Sequence, residues 1–113
     1  MKLPGGERAV VEPAKVRDYL LSPEHPVGRG KARFFAALGF RRDRSHELRD
    51  ALLALARSGE ASLGAANAFG QKYLVPGSIQ GPAGRAAAVL TVWIVLRGED
   101  FPRFVTAHPG DAG

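Results

Sequence analysis

A chain of 113 residues without cysteine has room for one domain with a self-sufficient core, burying roughly two-thirds of its unfolded surface. The missing thiols exclude disulfides, thiolate zinc sites, iron–sulfur clusters and cysteine nucleophiles. The formal charge is +5, and residues 29–57, with eight basic side chains (Arg29, Lys31, Arg33, Arg41, Arg42, Arg44, Arg49, Arg57) against Asp43, Glu47 and Asp50, carry all of it.

A local patch of this kind suits a polyanion, and a solvated arginine-rich helical surface gives the same count. The N-terminal Met1-Lys2-Leu3-Pro4 stretch lacks the apolar segment of a signal peptide. The longest nearly apolar run, Ala86 to Leu96, falls well short of the roughly 20 residues that span a bilayer. The expectation is a soluble, cytoplasmic protein with no membrane partner.

The first helix is expected from Pro13, a favoured first-turn residue, to Leu21, with Val16, Tyr19 and Leu20 as its apolar stripe and Pro23 ending it. A second runs from about Gly28 to Leu38, buried through Phe34, Phe35 and Leu38, with Gly39 as a left-handed cap. The third starts near Asp43 or Ser45 and continues to Ser58, with Leu48, Ala51, Leu52 and Leu55 at helical spacing and Gly59 closing it in the same manner. Residues 60–68 read as a surface loop.

From there the pattern turns strand-like, with strands at 69–75, 85–96 and 103–108. Gly81-Pro82-Ala83-Gly84 has the preferences of a type I turn and joins the first two as a hairpin. Pro76-Gly77 breaks the first strand or places it at a sheet edge, since proline donates no ladder hydrogen bond. The fold class expected is α+β: three N-terminal helices followed by a small antiparallel sheet of three to four strands, in one domain over 1–113 with a disordered tail at 109–113.

The chemistry-bearing residues concentrate between 19 and 40. His25 lies between Pro23 and Pro26, whose fixed φ angles present the imidazole from a stiff turn. Lys31 precedes Phe34 and Phe35 by three and four residues, so its stem follows apolar rings and its ammonium stays near the helix start. Histidine, lysine and a helix N-terminus are the parts that hold a phosphate and move a proton beside it. Each has a plainer role: the imidazole as a cap of the turn, the lysine as a snorkelling side chain. Arg29, Arg33 and Arg42 are candidates for flanking phosphates, and Tyr73 for stacking a base. Trp93, flanked by Val92 and Ile94, reads as core.

Thr106 and Arg103 have opposite parity on the last strand, so without a bulge they face opposite sides. Thr106 then shares a face with Phe104 and His108. His25, His46 and His108 fall on separate elements, and no HxxxH or paired-carboxylate spacing exists, so no metal site and no cofactor are expected. Gly28-Arg29-Gly30-Lys31 follows no strand and lacks the full phosphate-loop pattern.

Leu20-Leu21-Ser22-Pro23-Glu24-His25-Pro26-Val27-Gly28 with Lys31-Ala32, then Gly70-Gln71-Lys72-Tyr73, Gly81-Pro82, Thr91-Val92-Trp93-Ile94 and Pro102-Arg103 with Thr106 resemble a bacterial domain family. Its members occur at C-terminal tips of filamentous-haemagglutinin adhesins of the contact-dependent-inhibition type and as free-standing small proteins beside another short reading frame. The chain departs from it at Leu90 and His108. The resemblance implies a toxin or toxin–antitoxin component, and by analogy a fold similar to the barnase, colicin and RelE-like ribonucleases.

The leading expectation is therefore a ribonuclease-like toxin domain acting on RNA by metal-independent acid/base chemistry. His25, Lys31 and Thr106 are its catalytic candidates, and Arg29, Arg33, Arg42, Tyr73 and Arg103 its RNA contacts. A small cognate partner protein encoded nearby belongs to that reading. The alternative is a non-enzymatic antitoxin or interaction module whose basic helical face binds an acidic protein or nucleic acid.

Overall fold

The computed structural model describes residues 1–25 and 29–110, and only the backbone of Arg29. Pro26, Val27 and Gly28, and with them the second proline of the histidine turn, lie outside the described residues.

Pro13 opens the first helix, α1 (Pro13–Lys15), which passes without a break into a π-helical stretch, Val16–Leu20. Its signature is the i→i+5 bond from Leu21 N–H to Val16 O at 2.9 Å. Val16 and Leu20 are buried, whereas Tyr19, expected on the same stripe, is only half-buried. Helix α2 (Arg29–Ala37) buries Ala32 and Phe35, with Leu38 just beyond its end. Phe34 is half-buried and meets Phe35 edge-on at 5.0 Å. Gly39 supplies the expected left-handed turn, with φ +97°.

Helix α3 (Ser45–Ser58) buries Leu48, Leu52 and Ala56. Gly59 differs from expectation: its φ of −75° and ψ of 158° are extended. Its glycine requirement comes from packing, because a Cβ there would strike Val75 Cγ1.

Four antiparallel strands follow in the order β1 (Ser62–Ala66), β2 (Gly70–Gln80), β3 (Ala86–Leu96), β4 (Arg103–Pro109). The fold is α+β, with three helices and a four-stranded sheet. An N-terminal arm with a 3-10 turn at Gly6–Arg8 precedes the helices, bridging Lys2 to Glu60 and Val10 to Arg103. Part of the expected 60–68 loop is strand β1, which pairs Ser62 with Leu74 and Leu63 with Tyr73. Because β1 stops there, Pro76 lies on an open edge of β2 and its missing N–H costs no ladder bond. Strand β2 therefore runs through Pro76-Gly77 in unbroken register with β3. The turn forms as expected, with Gly84 N–H bonded to Gly81 O at 3.0 Å. Pro109 belongs to β4 and Gly110 N–H bonds to Ala88 O at 2.7 Å, so the ordered chain reaches into the expected tail.

The helices pack on one sheet face, where Val75, Ile79, Val89, Thr91, Trp93, Phe104 and Ala107 are buried. Trp93 is wholly buried, meets Phe104 edge-on at 5.3 Å, and donates Nε1–H to Thr91 Oγ1 at 2.8 Å. Strand β4 carries one irregularity: Trp93 pairs with Phe104 but Val92 pairs with Thr106, leaving Val105 as an extra residue. This β-bulge re-aims the side chains beyond it.

Candidate functional site

Lys31, in the first turn of α2, reaches across to the edge strand. Its ammonium donates to Tyr19 Oη at 2.6 Å and to Thr106 Oγ1 at 2.7 Å. The two hydroxyls lie 3.1 Å apart, so one donates to the other. The ammonium also stands 4.9 Å from the centroid of the Tyr19 ring. Among the described residues, its partners are neutral hydroxyls, and no carboxylate pairs with it. A half-buried cation held this way keeps its full charge available to an anion and retains a third N–H to offer it.

Both hydroxyls come from irregular backbone. Tyr19 lies in the π-helical stretch and Thr106 directly follows the bulged Val105. Such one-residue excesses turn a side chain off its regular face and occur often at functional sites. The bulge brings Val105 and Thr106 together into the lining of one cleft of about 900 Å³, with Glu12, Lys15, Asp18, Tyr19 and His25. The His25 ring stands edge-on to Tyr19 with centroids 5.0 Å apart. His25, Lys31 and Thr106 are thus gathered around one phenol.

Lys15 adds a second ammonium, bonded to Val105 O at 3.3 Å and 5.9 Å from the Tyr19 centroid. The two carboxylates at the cleft are each occupied by arginine. Asp18 is bound by Arg17 and, at 3.1 Å, by Arg42; the Arg17 hydrogen bond leads in holding its carboxyl below the usual range, desolvation is the next-largest effect and opposes it, and Arg42 adds to the lowering. Glu12 meets Arg103 at 3.5 Å. With these carboxylates paired to arginine, the ammoniums of Lys31 and Lys15 set the local field at Tyr19.

Burial pushes the Tyr19 phenol up, but the hydrogen bonds from Lys31 and Thr106 and the charges of Lys31 and Lys15 outweigh it, and the net shift is downward. At the far end of β4, burial first and the Lys31 charge second hold His108 below the ordinary imidazole value.

The remaining expected contacts scatter. Arg33 and Arg42 line a second cleft, about 500 Å³, on the other flank of α2. Arg103 is committed to a bidentate pair with Glu99, 2.9 Å on each arm, and to Glu12. Tyr73 sits in β2, two strands from Thr106, half-buried against the core. The side chain of Arg29 is outside the described residues. Sequence reasoning missed Tyr19, Lys15, Glu12 and Asp18. A tyrosine on an amphipathic stripe reads as core, and its one distinguishing signal was a polar tip six residues before His25.

The fold is similar to a solved chain described as "Contact-dependent growth inhibition toxin - immunity protein complex from Klebsiella pneumoniae 342", with a TM-score of 0.70 and 19% identity over 89% of this chain and 99% of that one. No curated protein matches the sequence. At that identity the likeness establishes architecture alone. A family model matches residues 2–111, almost the entire chain, and the protein accordingly belongs to the family described as Domain of unknown function (DUF6883).

Proposed function

We propose that this is a ribonuclease-like toxin domain that cleaves RNA by metal-independent acid/base chemistry at the Lys31–Tyr19–Thr106 cluster. The observation that carries the reading is the ammonium of Lys31, held at 2.6 and 2.7 Å by the hydroxyls of Tyr19 and Thr106, two residues that line an open cleft together with His25. A phosphodiester is the anion suited to it. In strand scission the RNA 2′-oxygen attacks the neighbouring phosphorus as its proton passes to a base. The bond from phosphorus to the 5′-oxygen then breaks, that oxygen takes a proton from an acid, and a 2′,3′-cyclic phosphate remains. With Glu12 and Asp18 held by arginines, His25 and Tyr19 are the groups in the cleft that take the proton-exchanging roles. Lys31 and Thr106 meet the charge that builds on the non-bridging oxygens, where preorganised donors act most strongly. The similarity to a chain of a toxin–immunity complex supports a cognate inhibitory protein as partner.

Purified protein is incubated with total RNA, with and without EDTA. The wild type is expected to cut RNA equally in both, and Lys31→Ala and His25→Ala to lose about 100-fold or more in rate while keeping a native circular dichroism melt. Absence of cleavage by the wild type, or undiminished cleavage by both variants, refutes the assignment.

A further inference from the structure

The second cleft lies on the opposite flank of α2. Lys31 and Ala36 project roughly 140° apart around that helix, Lys31 toward Tyr19 and Thr106, and Ala36 into a cleft floored by Pro23 and Phe40 and rimmed by Arg33, Arg41 and Arg42. Its volume of about 500 Å³ falls within the ~300–1,000 Å³ of small-ligand sites. The two clefts are joined through one side chain: Asp18 lines the first and fixes Arg42 at the rim of the second, 3.1 Å away.

The rim is not uniformly neutralised. Arg41 is held by Asp43 at 2.8 and 3.0 Å, and Arg42 by Asp18. Arg33 is exposed and has no carboxylate partner among the described residues. An apolar floor with an uncompensated guanidinium at its edge matches a flat, uncharged ring attached to a phosphate. A hydrophobic peptide has no use for the cation, and a free phosphate has none for the floor.

We infer that this cleft is a base subsite. It receives one unpaired nucleotide of a single-stranded polyanion, its base against Pro23, Ala36 and Phe40 and its phosphate against Arg33, while a neighbouring phosphate crosses the 21–25 segment to Lys31. The helix width of about 10 Å is bridged by adjacent nucleotides of an extended strand. The inference rests on the RNA reading above and narrows it to single-stranded substrate, because a base locked in a duplex cannot enter the floor.

The test uses a short fluorescein-labelled 2′-O-methyl oligoribonucleotide, which cannot be cleaved, and follows its anisotropy with the wild-type protein. Ala36→Gln changes no charge, keeps helix propensity and fills the mouth of the cleft. It is expected to raise Kd about tenfold, the loss of one base-stacking contact. Arg33→Gln is expected to weaken binding and lower the slope of log Kd against log salt by about one. The same sequence in a hairpin duplex should bind at least about tenfold more weakly than the single strand. Equal binding by Ala36→Gln and wild type overturns the subsite, as does equal affinity for duplex and single strand. Binding of poly-glutamate that is lost in Ala36→Gln, with no binding of the oligonucleotide, also overturns it and gives the cleft to an acidic protein. Since the probe is uncleavable, the subsite stands if Ala36→Gln weakens binding in a protein that cuts no RNA, and then only the ribonuclease reading falls.

Discussion

The ammonium of Lys31 is 2.7 Å from the hydroxyl of Thr106, a residue 75 positions away in the chain. That contact ties the first turn of α2 to the edge strand, and Tyr19 closes the triangle from a third element. A hydrogen bond from a charged donor contributes about 1.5–3 kcal/mol, so each hydroxyl has a measurable share in placing the cation.

Removing those hydroxyls singly should grade the activity. Thr106→Val keeps the shape and leaves Lys31 on Tyr19 alone; a roughly tenfold fall in RNA cleavage is expected, corresponding to about 1.4 kcal/mol. Tyr19→Phe removes a proton-exchanging group as well and should cost about 100-fold. Single-turnover rates on a labelled RNA distinguish the two, and equal losses would contradict the division of roles.

The Tyr19 phenol should titrate below the ordinary value of about 10, because burial, the largest single effect and an upward one, is outweighed by the Lys31 and Thr106 hydrogen bonds together with the Lys31 and Lys15 charges. In a Tyr73→Phe background, absorbance at 295 nm follows Tyr19 alone. Replacing Lys31 by Met removes a bond and a charge and leaves burial in control, so the titration should move up. With a lowered pKa the folded state releases its proton first. Relative to Tyr19→Phe, stability should therefore rise with pH from the folded pKa toward about 10. A titration unaffected by Lys31→Met would break the electrostatic account.

His108 gives a slope of the same sign in an acid window. Burial and then Lys31 hold its pKa below the ordinary value, about 6.5, so the unfolded chain protonates before the folded one. Stability should be unaffected well above that value and decline as pH falls through it toward the folded pKa. The ring is largely exposed, so the melting temperature of the wild type should drop on the order of 1 °C more than that of His108→Gln between neutral and acidic buffer. Parallel melting curves for the two proteins would show that the imidazole carries no such linkage.

In the core, Thr91 Oγ1 accepts from Trp93 Nε1 at 2.8 Å and donates to Val75 O at 2.7 Å. Thr91→Val leaves a fully buried indole N–H without an acceptor, which should cost about 1–3 kcal/mol in urea unfolding. Thr91→Ser, which keeps the oxygen, should cost less. Equal losses would mean that the methyl group, and not the relay, matters.

What could be read in the sequence was what acts locally. Gly39 and the Gly81–Gly84 turn follow from φ preferences of single residues, and the Leu48, Leu52 and Leu55 spacing from the helical repeat. Strand β1 escaped because Ser62 to Ala66 is mostly small residues around an exposed Leu63, without alternation, and only β2 gives it a partner. Gly59 was misread because its reason is Val75, in another element. His25, Lys31 and Thr106 were legible as chemistry by residue type. Tyr19 was not, since its significance depends on a hydroxyl 87 positions away. The bulge was equally hidden: nothing within residues 103–108 alone says which one is surplus, and Val105 is so only against β3.

The π-helical turn and the bulge have a shared consequence for how such a protein changes over generations. Excising one residue from 16–20 would rewind the helix by about 100° per position and swing the phenol aside; excising Val105 would flatten the strand. Either shortened chain would approach an idealised, sturdier architecture with every polar side chain of the cluster still encoded, yet with nothing assembled. Loss of this side-chain cluster can thus arise by deletion as readily as by substitution, and a repacked descendant without it is one codon away.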